Sequence, residues 1–452
     1  MLALLWSDIL IFLLIGGLVL SAYFASKQEQ TRRPWRKAFQ SRVGTASFVV
    51  LLVFLLVGLL DSIHIKQSES LSPSSEEHTE VVLSVLDIFL TPLRTQIEKT
   101  YSAPFSSFAY AKEISLDGTG VSVWTAPRLS YGGAHLEHPQ EEIFGDVLQR
   151  SLLGLLKGIA AWCVLLLVLA KGPNVVAFIN RSVFRKTALY TLLGLLLIIF
   201  VTAELVGFYH ILGTDKVGED VLYQALKSVR TGLIIGSLTT LVMLPIAITL
   251  GLLAGFFRGW VDDAIQYIYT TLSSIPSVLL IAAAILMAQV YMANNPELFS
   301  SVAQRADMRL LLLCVILGLT SWTGLCRLLR AETLKIREMD YVQAAQALGV
   351  RKLTILKRHI LPNVMHLVMI TVVLDFSGLV LAEAVLSYIN IGVDPSTYSW
   401  GNMINSARLE MAREPIVWWS LAASFIFMFG LVLAANLFAD AVRDAFDPRS
   451  KH

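Results

Sequence analysis

Residues 188–208 read ALYTLLGLLLIIFVTAELVGF, a stretch that contains one charged side chain, Glu204. An α-helix rises about 1.5 Å per residue, so this stretch is long enough to cross a bilayer core of about 30 Å. Similar apolar runs recur along the 452-residue chain, which is 55% hydrophobic and 15% charged. Soluble domains carry about 25% charged residues. The sequence therefore predicts an all-α polytopic membrane protein.

Nine apolar runs have the length of membrane-spanning helices. They cover residues 7–24, 43–60, 150–170, 188–208, 230–256, 265–290, 309–327, 364–389 and 415–438. The first run could instead be a signal peptide. It lacks the Lys or Arg that precedes the apolar region of a signal sequence, however, and it carries Asp8. We therefore expect a retained membrane helix.

Basic residues in the links between the runs orient the chain, because cytoplasmic links are enriched in Lys and Arg. The links after the first, third and seventh runs are strongly basic. A consistent threading places these three links in the cytoplasm. The N-terminus is then expected outside the cell and the C-terminus in the cytoplasm.

Residues 61–149 fall outside the membrane in this threading and are rich in acidic side chains. Apolar residues at helical spacing predict an amphipathic helix over residues 80–100. Residues 107–132 alternate in polarity and contain Asp117 and Gly118, which predicts a β-hairpin. The segment is either a solvated spacer or cap, or a docking surface for a partner.

The link after the seventh run is the most informative part of the chain. Residues 330–363 read RAETLKIREMDYVQAAQALGVRKLTILKRHILPN. The pattern predicts two short helices, broken at Gly349 and closed at Pro362, because Gly ends helices and Pro starts the next segment. The small residues at 344, 345 and 347 leave a thin surface on which another protein can pack. No nucleophile–base pair or paired carboxylates accompany them, so we expect a protein contact and not catalysis.

This segment resembles the E-A-A loop of ABC importer permeases, whose pattern is E-A-A, three residues and Gly, followed about a dozen residues later by Leu-Pro. Gln343 stands where the family has Glu, so no ion pair is expected at that position. The resemblance implies that the segment 330–362 couples the permease to an ATPase. The coupling residues would be Tyr341, Gln343, Ala344, Ala345, Gly349, Leu361 and Pro362.

Five further segments resemble the second, "C"-type permease of dipeptide, oligopeptide and nickel importers. They are LGTDKVGEDVL at 212–222, GLLAGFFRGWVD at 251–262, LAEAVLSY at 381–388, SWGN at 399–402 and RDAFDPR at 443–449. The resemblance covers residues 205–449 and implies a six-helix permease core. The first two apolar runs and residues 61–149 are not part of the usual family pattern.

The resemblance implies a transport subunit of the bacterial inner membrane that is not itself an enzyme. It would form half of the translocation path for peptides or similar small solutes, with nickel or another small solute as the alternative. The implied partners are a second permease subunit, two cytoplasmic ABC ATPase subunits and an extracytoplasmic solute-binding protein. The chain has no G-x-x-x-x-G-K-[ST] phosphate loop, so ATP would be bound by the partner subunits.

Charged residues at membrane depth are candidates for the translocation path, because they are costly to bury in lipid. Three occur in the apolar runs: Glu204, Asp375 and Glu383. They either line the path or hydrogen-bond between helices. Gly232, Gly236, Gly251 and Gly255 predict close helix packing against the partner permease. The scattered histidines and cysteines indicate no metal site, and no basic aromatic surface indicates nucleic acid.

The expected organisation has four parts. Residues 1–60 form two membrane helices with a basic link, 61–149 the extracytoplasmic module, 150–187 a third membrane helix with its link, and 188–452 the permease core. Three rival classes are a secondary transporter, an intramembrane enzyme and a membrane scaffold. We see no inverted repeats and no nucleophile–base pair within the spans, and the coupling-loop motif argues against all three.

Overall fold

The computed structural model describes residues 2–3, 5–27, 29–70, 78–116, 122–170, 182–295, 297 and 302–446. Most of these residues are helical. The long helices are α1 (Trp6–Lys27), α3 (Arg42–Asp61), α6 (Pro139–Ala170), α7 (Val183–Val206), α8 (Val221–Phe257), α10 (Ser277–Asn294), α11 (Val302–Arg337), α14 (Leu361–Tyr388) and α16 (Trp419–Phe446). The shorter ones are α2 (Glu29–Ala38), α4 (Val85–Phe89), α5 (Thr91–Thr95), α9 (Trp260–Ser274), α12 (Asp340–Ala347), α13 (Lys352–Ile355) and α15 (Trp400–Glu410).

Eight of the described helices are long and apolar enough to cross a membrane, and the span that contains α14 also includes the continuous turns before it, from Lys352. These eight correspond to the second to ninth predicted runs. The first predicted run forms α1, whose described apolar part, Trp6–Gly17, is shorter. The all-α polytopic class predicted from the sequence is therefore confirmed.

One predicted span is divided in two by the structure. The run 265–290 was expected to form a single helix, but α9 ends at Ser274 and α10 begins at Ser277. Pro276 lies between them with φ −54° and ψ 120°. Proline has no N–H to donate to the preceding turn and disfavours helical geometry in the residue before it, which explains the break.

The described residues form two compact units. Unit 1 comprises residues 1–4, 39–231 and 398–434. In it α6 and α7 pack along their lengths, and α3 packs against α7. Gly154 of α6 allows the close approach, because a Cβ there would lie 2.7 Å from the Val201 Cα. The indole of Trp162 donates a hydrogen bond to the Leu189 carbonyl at 3.1 Å.

The segment between α3 and α6 belongs to unit 1 and contributes strands to two small antiparallel sheets. The first has the order β1 (Leu2–Ala3), β2 (His64–Ser70) and β3 (His78–Ser84), and the second pairs β4 (Glu113–Leu116) with β5 (Ser122–Thr125). The predicted hairpin within 107–132 is confirmed by β4 and β5. The single amphipathic helix predicted over 80–100 is wrong. Residues 78–84 pair with β2 as a strand, and only α4 and α5 are helical.

Unit 2 comprises residues 5–38, 232–397 and 435–452. Its largest apolar cluster joins α8, α9 and α11 to the segment 342–368. Gly255 of α8 lies so close to α11 that a Cβ would be 2.7 Å from the Arg330 carbonyl oxygen, and one at Gly251 would be 2.9 Å from the Cys326 oxygen. These glycines were expected to pack against a partner permease. They pack instead against helices of this chain.

Candidate functional site

Helix α12 carries four of the predicted coupling residues, with Tyr341, Gln343 and Ala344 on its exposed face and Ala345 on its buried face. Val342 and Ala345 are buried in the apolar cluster of unit 2. The other face is exposed and comprises Tyr341, Gln343, Ala344, Gln346 and Ala347. Leu348, directly after the helix, is 83% exposed. The short helix therefore has one face fixed in the protein and one face free for a partner.

Gly349 ends α12 in the left-handed conformation, with φ +75°. The Gly349 N–H donates to the Gln346 oxygen at 3.0 Å, and the Val350 N–H donates to the Ala345 oxygen at 3.1 Å. Glycine adopts this conformation without strain, and it closes the helix by satisfying carbonyls that have no partner within the helix. The predicted break at Gly349 is therefore present.

The second predicted helix is not closed at Pro362. The α13 helix continues through a π turn, Leu356–Ile360, directly into α14, and Pro362 lies in the first turn of α14. Proline is accommodated there because the first-turn N–H groups of a helix have no partner within the helix. Leu361 packs on the edge of the apolar cluster. Asn363 donates to the Tyr341 hydroxyl at 3.0 Å, which joins the start of α14 to α12.

Polar contacts within the chain hold α12 in place. Gln343, at the position where a Glu was expected, donates to the Glu338 carbonyl at 3.2 Å. Glu338 in turn pairs with Arg258 at the end of α8, at 2.5 Å. Both of these side chains are exposed, so the pair contributes little to stability.

A bidentate ion pair fixes the C-terminal part of α11 to α9. Arg330 Nε and Nη2 lie 2.5 and 2.7 Å from the two Asp262 carboxylate oxygens. These hydrogen bonds hold the pKa of Asp262 below its ordinary value. A paired guanidinium and carboxylate fix geometry in a way that a single ionic contact does not. The helix that leads into α12 is therefore rigidly tied to the neighbouring helix.

The three predicted path residues have different surroundings. Glu204 of α7 pairs with Lys157 of α6 at 2.5 Å, so it has a partner on the adjacent helix. Glu383 is buried and accepts a hydrogen bond from the Ser387 hydroxyl at 2.7 Å. Asp375, on the same helix as Glu383, is half-buried. No hydrogen bond or ion pair joins Asp375 to the described part of the chain.

Sequence patterns do not indicate the buried charge cluster around Lys227, near the start of α8. Lys227 Nζ lies 2.5 Å from Asp61 Oδ1 at the end of α3 and 3.0 Å from Asp87 Oδ1 in α4. It also donates to the Ser84 hydroxyl at 3.2 Å. The Tyr223 hydroxyl donates to Asp87 at 2.8 Å. Burial favours the neutral form of Asp87, but Lys227 and the hydrogen bonds hold its pKa below the ordinary value.

A second buried cluster surrounds His210. Its Nδ1 lies 2.7 Å from Asp220 Oδ2 and its Nε2 lies 3.5 Å from Glu98 Oε1, and all three side chains are at most 2% exposed. Burial alone would lower the pKa of His210, but the two carboxylates raise it to about 9. The sequence alone does not identify this cluster, because Glu98 is distant from His210 in the chain and Asp220 looks like any other acidic residue.

Glu98 also holds the loop that follows the second small sheet. Its carboxylate accepts hydrogen bonds from the backbone N–H groups of residues 130, 131 and 132 at 2.9, 2.8 and 3.1 Å. Burial opposes ionisation, but the contact with His210 and these N–H groups lower the pKa of Glu98 to about 2. The two clusters therefore connect residues 84–132 to the segment that begins α8.

Among the described residues, no group of three or more His, Cys, Asp or Glu side chains could hold a metal ion. Cys314 and Cys326 are buried and Cys163 is exposed, and all three are free thiols.

Comparison with known proteins identifies the family. Residues 247–452 match the model of the binding-protein-dependent transport system inner membrane component. The glutathione transport system permease protein GsiD of Pectobacterium atrosepticum is 33% identical over 244 residues, which are 54% of this chain and 73% of that protein. The chain belongs to this family of ABC importer permeases.

Other members of the family show similar identity. The dipeptide transport system permease protein DppC of Lactococcus lactis subsp. cremoris is 32% identical over 53% of this chain and 64% of its own length. The oligopeptide transport system permease protein OppC of Mycobacterium tuberculosis is 29% identical over 54% of this chain and 78% of its own length. The permease resemblance predicted from the sequence motifs is confirmed. Residues 1–246 lie outside the family match.

Proposed function

We propose that this ABC importer permease forms half of the translocation path for peptides or similar small solutes. The face of α12 carries this proposal, because it combines buried anchors with exposed small and apolar residues on one helix of eight residues. The printed names of the relatives, which concern glutathione, dipeptides and oligopeptides, support a peptide-like solute.

The proposed complex contains a second permease subunit, two cytoplasmic ATPase subunits and an extracytoplasmic solute-binding protein. ATP is bound by the ATPase subunits, since this sequence carries no phosphate loop. ATPase closure moves α12, and the Arg330–Asp262 pair transmits that movement to α9 and α11. An ATPase can shift an equilibrium between two conformations of the permease only if it binds them with different affinity. The exposed face of α12 must therefore contact the ATPase differently in the two conformations.

The proposed orientation places α12 and the C-terminus in the cytoplasm of a bacterium and the N-terminus outside its inner membrane. Two contacts within unit 2 support it. The Ser7 N–H at the start of α1 donates to Asp307 at 3.2 Å near the start of α11, whereas the Trp35 ring of α2 contacts Phe446 at the end of α16, with centroids 5.7 Å apart. Among the described helices, eight candidate spans follow α2, an even number that returns the chain to the side of α2.

The experiment is co-purification of the tagged chain from its native host in mild detergent. A second permease and ATPase subunits are expected with the parent chain. Replacing Ala344 and Leu348 by Glu places charge on the exposed face of α12 without touching its buried face, and it should release the ATPase while the second permease is retained.

The control replaces Ile114 by Glu, because this aliphatic side chain is 61% exposed on the β4–β5 hairpin, far along the chain from α12. It should co-purify with the same subunits as the parent. Recovery of the ATPase with the Ala344/Leu348 variant at the parental ratio would contradict the assignment of α12. Uptake of labelled dipeptides compared with nickel by the assembled transporter then decides the solute class.

A further inference from the structure

Helix α2 lies between two apolar helices with very short connections. One residue separates it from α1 and three residues separate it from α3. Connections of this length cannot carry the helix away from the bilayer, because even extended residues span about 3.5 Å each. Because α3 is a candidate membrane span, we expect α2 to lie at the membrane surface, near the lipid headgroups.

The ten residues of α2, EQTRRPWRKA, separate into two faces. At about 100° per residue, the four bases fall within an arc of about 140°, with Trp35 and Ala38 on the opposite side. We define the basic face as Arg32, Arg33, Arg36 and Lys37, all of which are exposed. The helix has one acid, Glu29, so the face is strongly cationic.

The opposite face is fixed to the protein. Ala38 is 2% exposed, and the Trp35 ring lies 6.5 Å from the Phe438 ring and 5.7 Å from the Phe446 ring of α16. These contacts set the rotation of α2 about its axis. With Trp35 and Ala38 against the protein, the basic face lies on the opposite side of α2, where its four side chains are exposed.

We propose that the basic face binds the phosphate groups of anionic phospholipids in the bilayer that surrounds the permease. Charge complementarity and the enforced position at headgroup depth favour a lipid over any soluble ligand. A guanidinium group matches the geometry of a phosphate through paired N–H donors. Basic residues next to a membrane helix each strengthen binding to anionic lipid about fivefold. The proposal does not depend on the transported solute.

The test compares lipids that remain bound to the full-length chain. The tagged protein is purified in detergent micelles supplemented with equal amounts of phosphatidylglycerol and phosphatidylcholine, and bound lipids are counted by native mass spectrometry. Preferential retention of phosphatidylglycerol is expected, and it should fall as the salt concentration rises. A variant with all four bases replaced by Gln should lose at least about tenfold in phosphatidylglycerol affinity.

Two control variants separate lipid binding from loss of structure. Replacing the three arginines of the basic face by Lys keeps the charge and should preserve the preference. Replacing Lys99, Lys112, Lys216 and Arg305 by Gln removes the same charge from exposed positions elsewhere and should also preserve it.

Inorganic phosphate, compared with chloride at the same ionic strength, distinguishes a lipid from a free-phosphate site. Both salts should reduce lipid retention to the same extent, because they screen charge equally and the lipid is also held by its acyl chains. Equal retention of the two lipids by the parent chain overturns the proposal, as does parental retention by the four-Gln variant. A greater loss of lipid in phosphate than in chloride indicates a site for the free anion and also overturns it.

Discussion

Lys227 Nζ, near the start of α8, lies 3.0 Å from Asp87 Oδ1 in the segment that precedes the family match. The Lys227 side chain is 11% exposed and that of Asp87 7%. A third member, Asp61, completes the cluster from the end of α3. Two elements that precede the family match, α3 and α4, therefore share one buried charge cluster with the start of α8, a helix that continues into that match. The segment between α3 and α6 is consequently tied to α8 by buried charges within unit 1.

Replacing Lys227 by Met should destabilise unit 1 strongly. The change leaves Asp61 and Asp87 buried without their cation, and breaking a buried ion pair from one side costs about 3–5 kcal/mol. The thermal unfolding midpoint of the purified chain in detergent should fall, and limited proteolysis should cleave the segment between α3 and α6 sooner.

The matched control for Lys227 is Lys99→Met. Lys99 also pairs with a carboxylate, Glu113, but its side chain is 77% exposed. Exposed pairs contribute about 0–1 kcal/mol, so this variant should unfold near the parental temperature. Equal effects of the two substitutions would mean that burial of the Lys227 cluster is not what stabilises unit 1.

The His210 cluster should make stability depend on pH at both ends of the scale. The folded pKa of His210 is about 9 against an ordinary value of 6.5, so its contribution is complete below pH 6.5 and is lost as the pH rises toward 9. The folded pKa of Glu98 is about 2 against 4.5, so its contribution is present above pH 4.5 and is lost as the pH falls toward 2.

Unfolding midpoints measured in detergent between these limits should form a plateau from pH 4.5 to 6.5 with a decline on either side. On the alkaline side, the free energy of unfolding should fall by as much as ~3 kcal/mol, because one pKa unit corresponds to about 1.4 kcal/mol. His210→Gln should lower the plateau and flatten its alkaline side. An alkaline decline of parental size in that variant would show that another group titrates there.

Gly349 should tolerate Asn better than Ala. Its φ of +75° is strained for a residue with a Cβ, although no atom lies within 4 Å of where the Cβ would be. Only the backbone conformation is therefore at stake, and we expect Gly349→Ala to cost about 1 kcal/mol and Gly349→Asn less. ATPase recovery in the co-purification should follow the same order.

Gly324 provides the control for this backbone effect. It lies within α11 and also has open space around its Cβ position, but its conformation is helical. Gly324→Ala should therefore stabilise the helix by about 0.5–1 kcal/mol. Destabilisation by both alanine substitutions would point to crowding and not to the left-handed conformation of Gly349.

Hydropathy predicted most of the membrane helices because the bilayer imposes a length and a composition that each run carries by itself. Hydropathy does not predict the split at Pro276, because the apolar run continues across the break and one proline changes its mean hydropathy very little. Strand β3 was predicted as helix because its valines also fit helical spacing. Its strand conformation depends on pairing with β2, which no local pattern of residues 78–84 contains.

Helix α12 could be predicted for the same local reason. Its small residues and its terminal Gly349 are adjacent in sequence, and their spacing carries the helix and its end. The buried clusters could not be found this way. Asp87 and Lys227 are 140 residues apart, and a lysine or aspartate at these positions looks like any exposed charge until the fold brings them together.

Replacing Asp375 by Asn should reduce transport severalfold without reducing the amount of protein in the membrane. Asp375 is a half-buried carboxylate on a membrane helix, and no hydrogen bond or ion pair joins it to the described part of the chain. A carboxylate in that position is costly unless it faces water, a partner or a passing solute. Asp375→Glu keeps the charge and should retain most of the uptake. The measurement is uptake of a labelled dipeptide by the assembled transporter, normalised to permease abundance. Unchanged normalised uptake by Asp375→Asn would remove Asp375 from the translocation path and leave helix packing as its role.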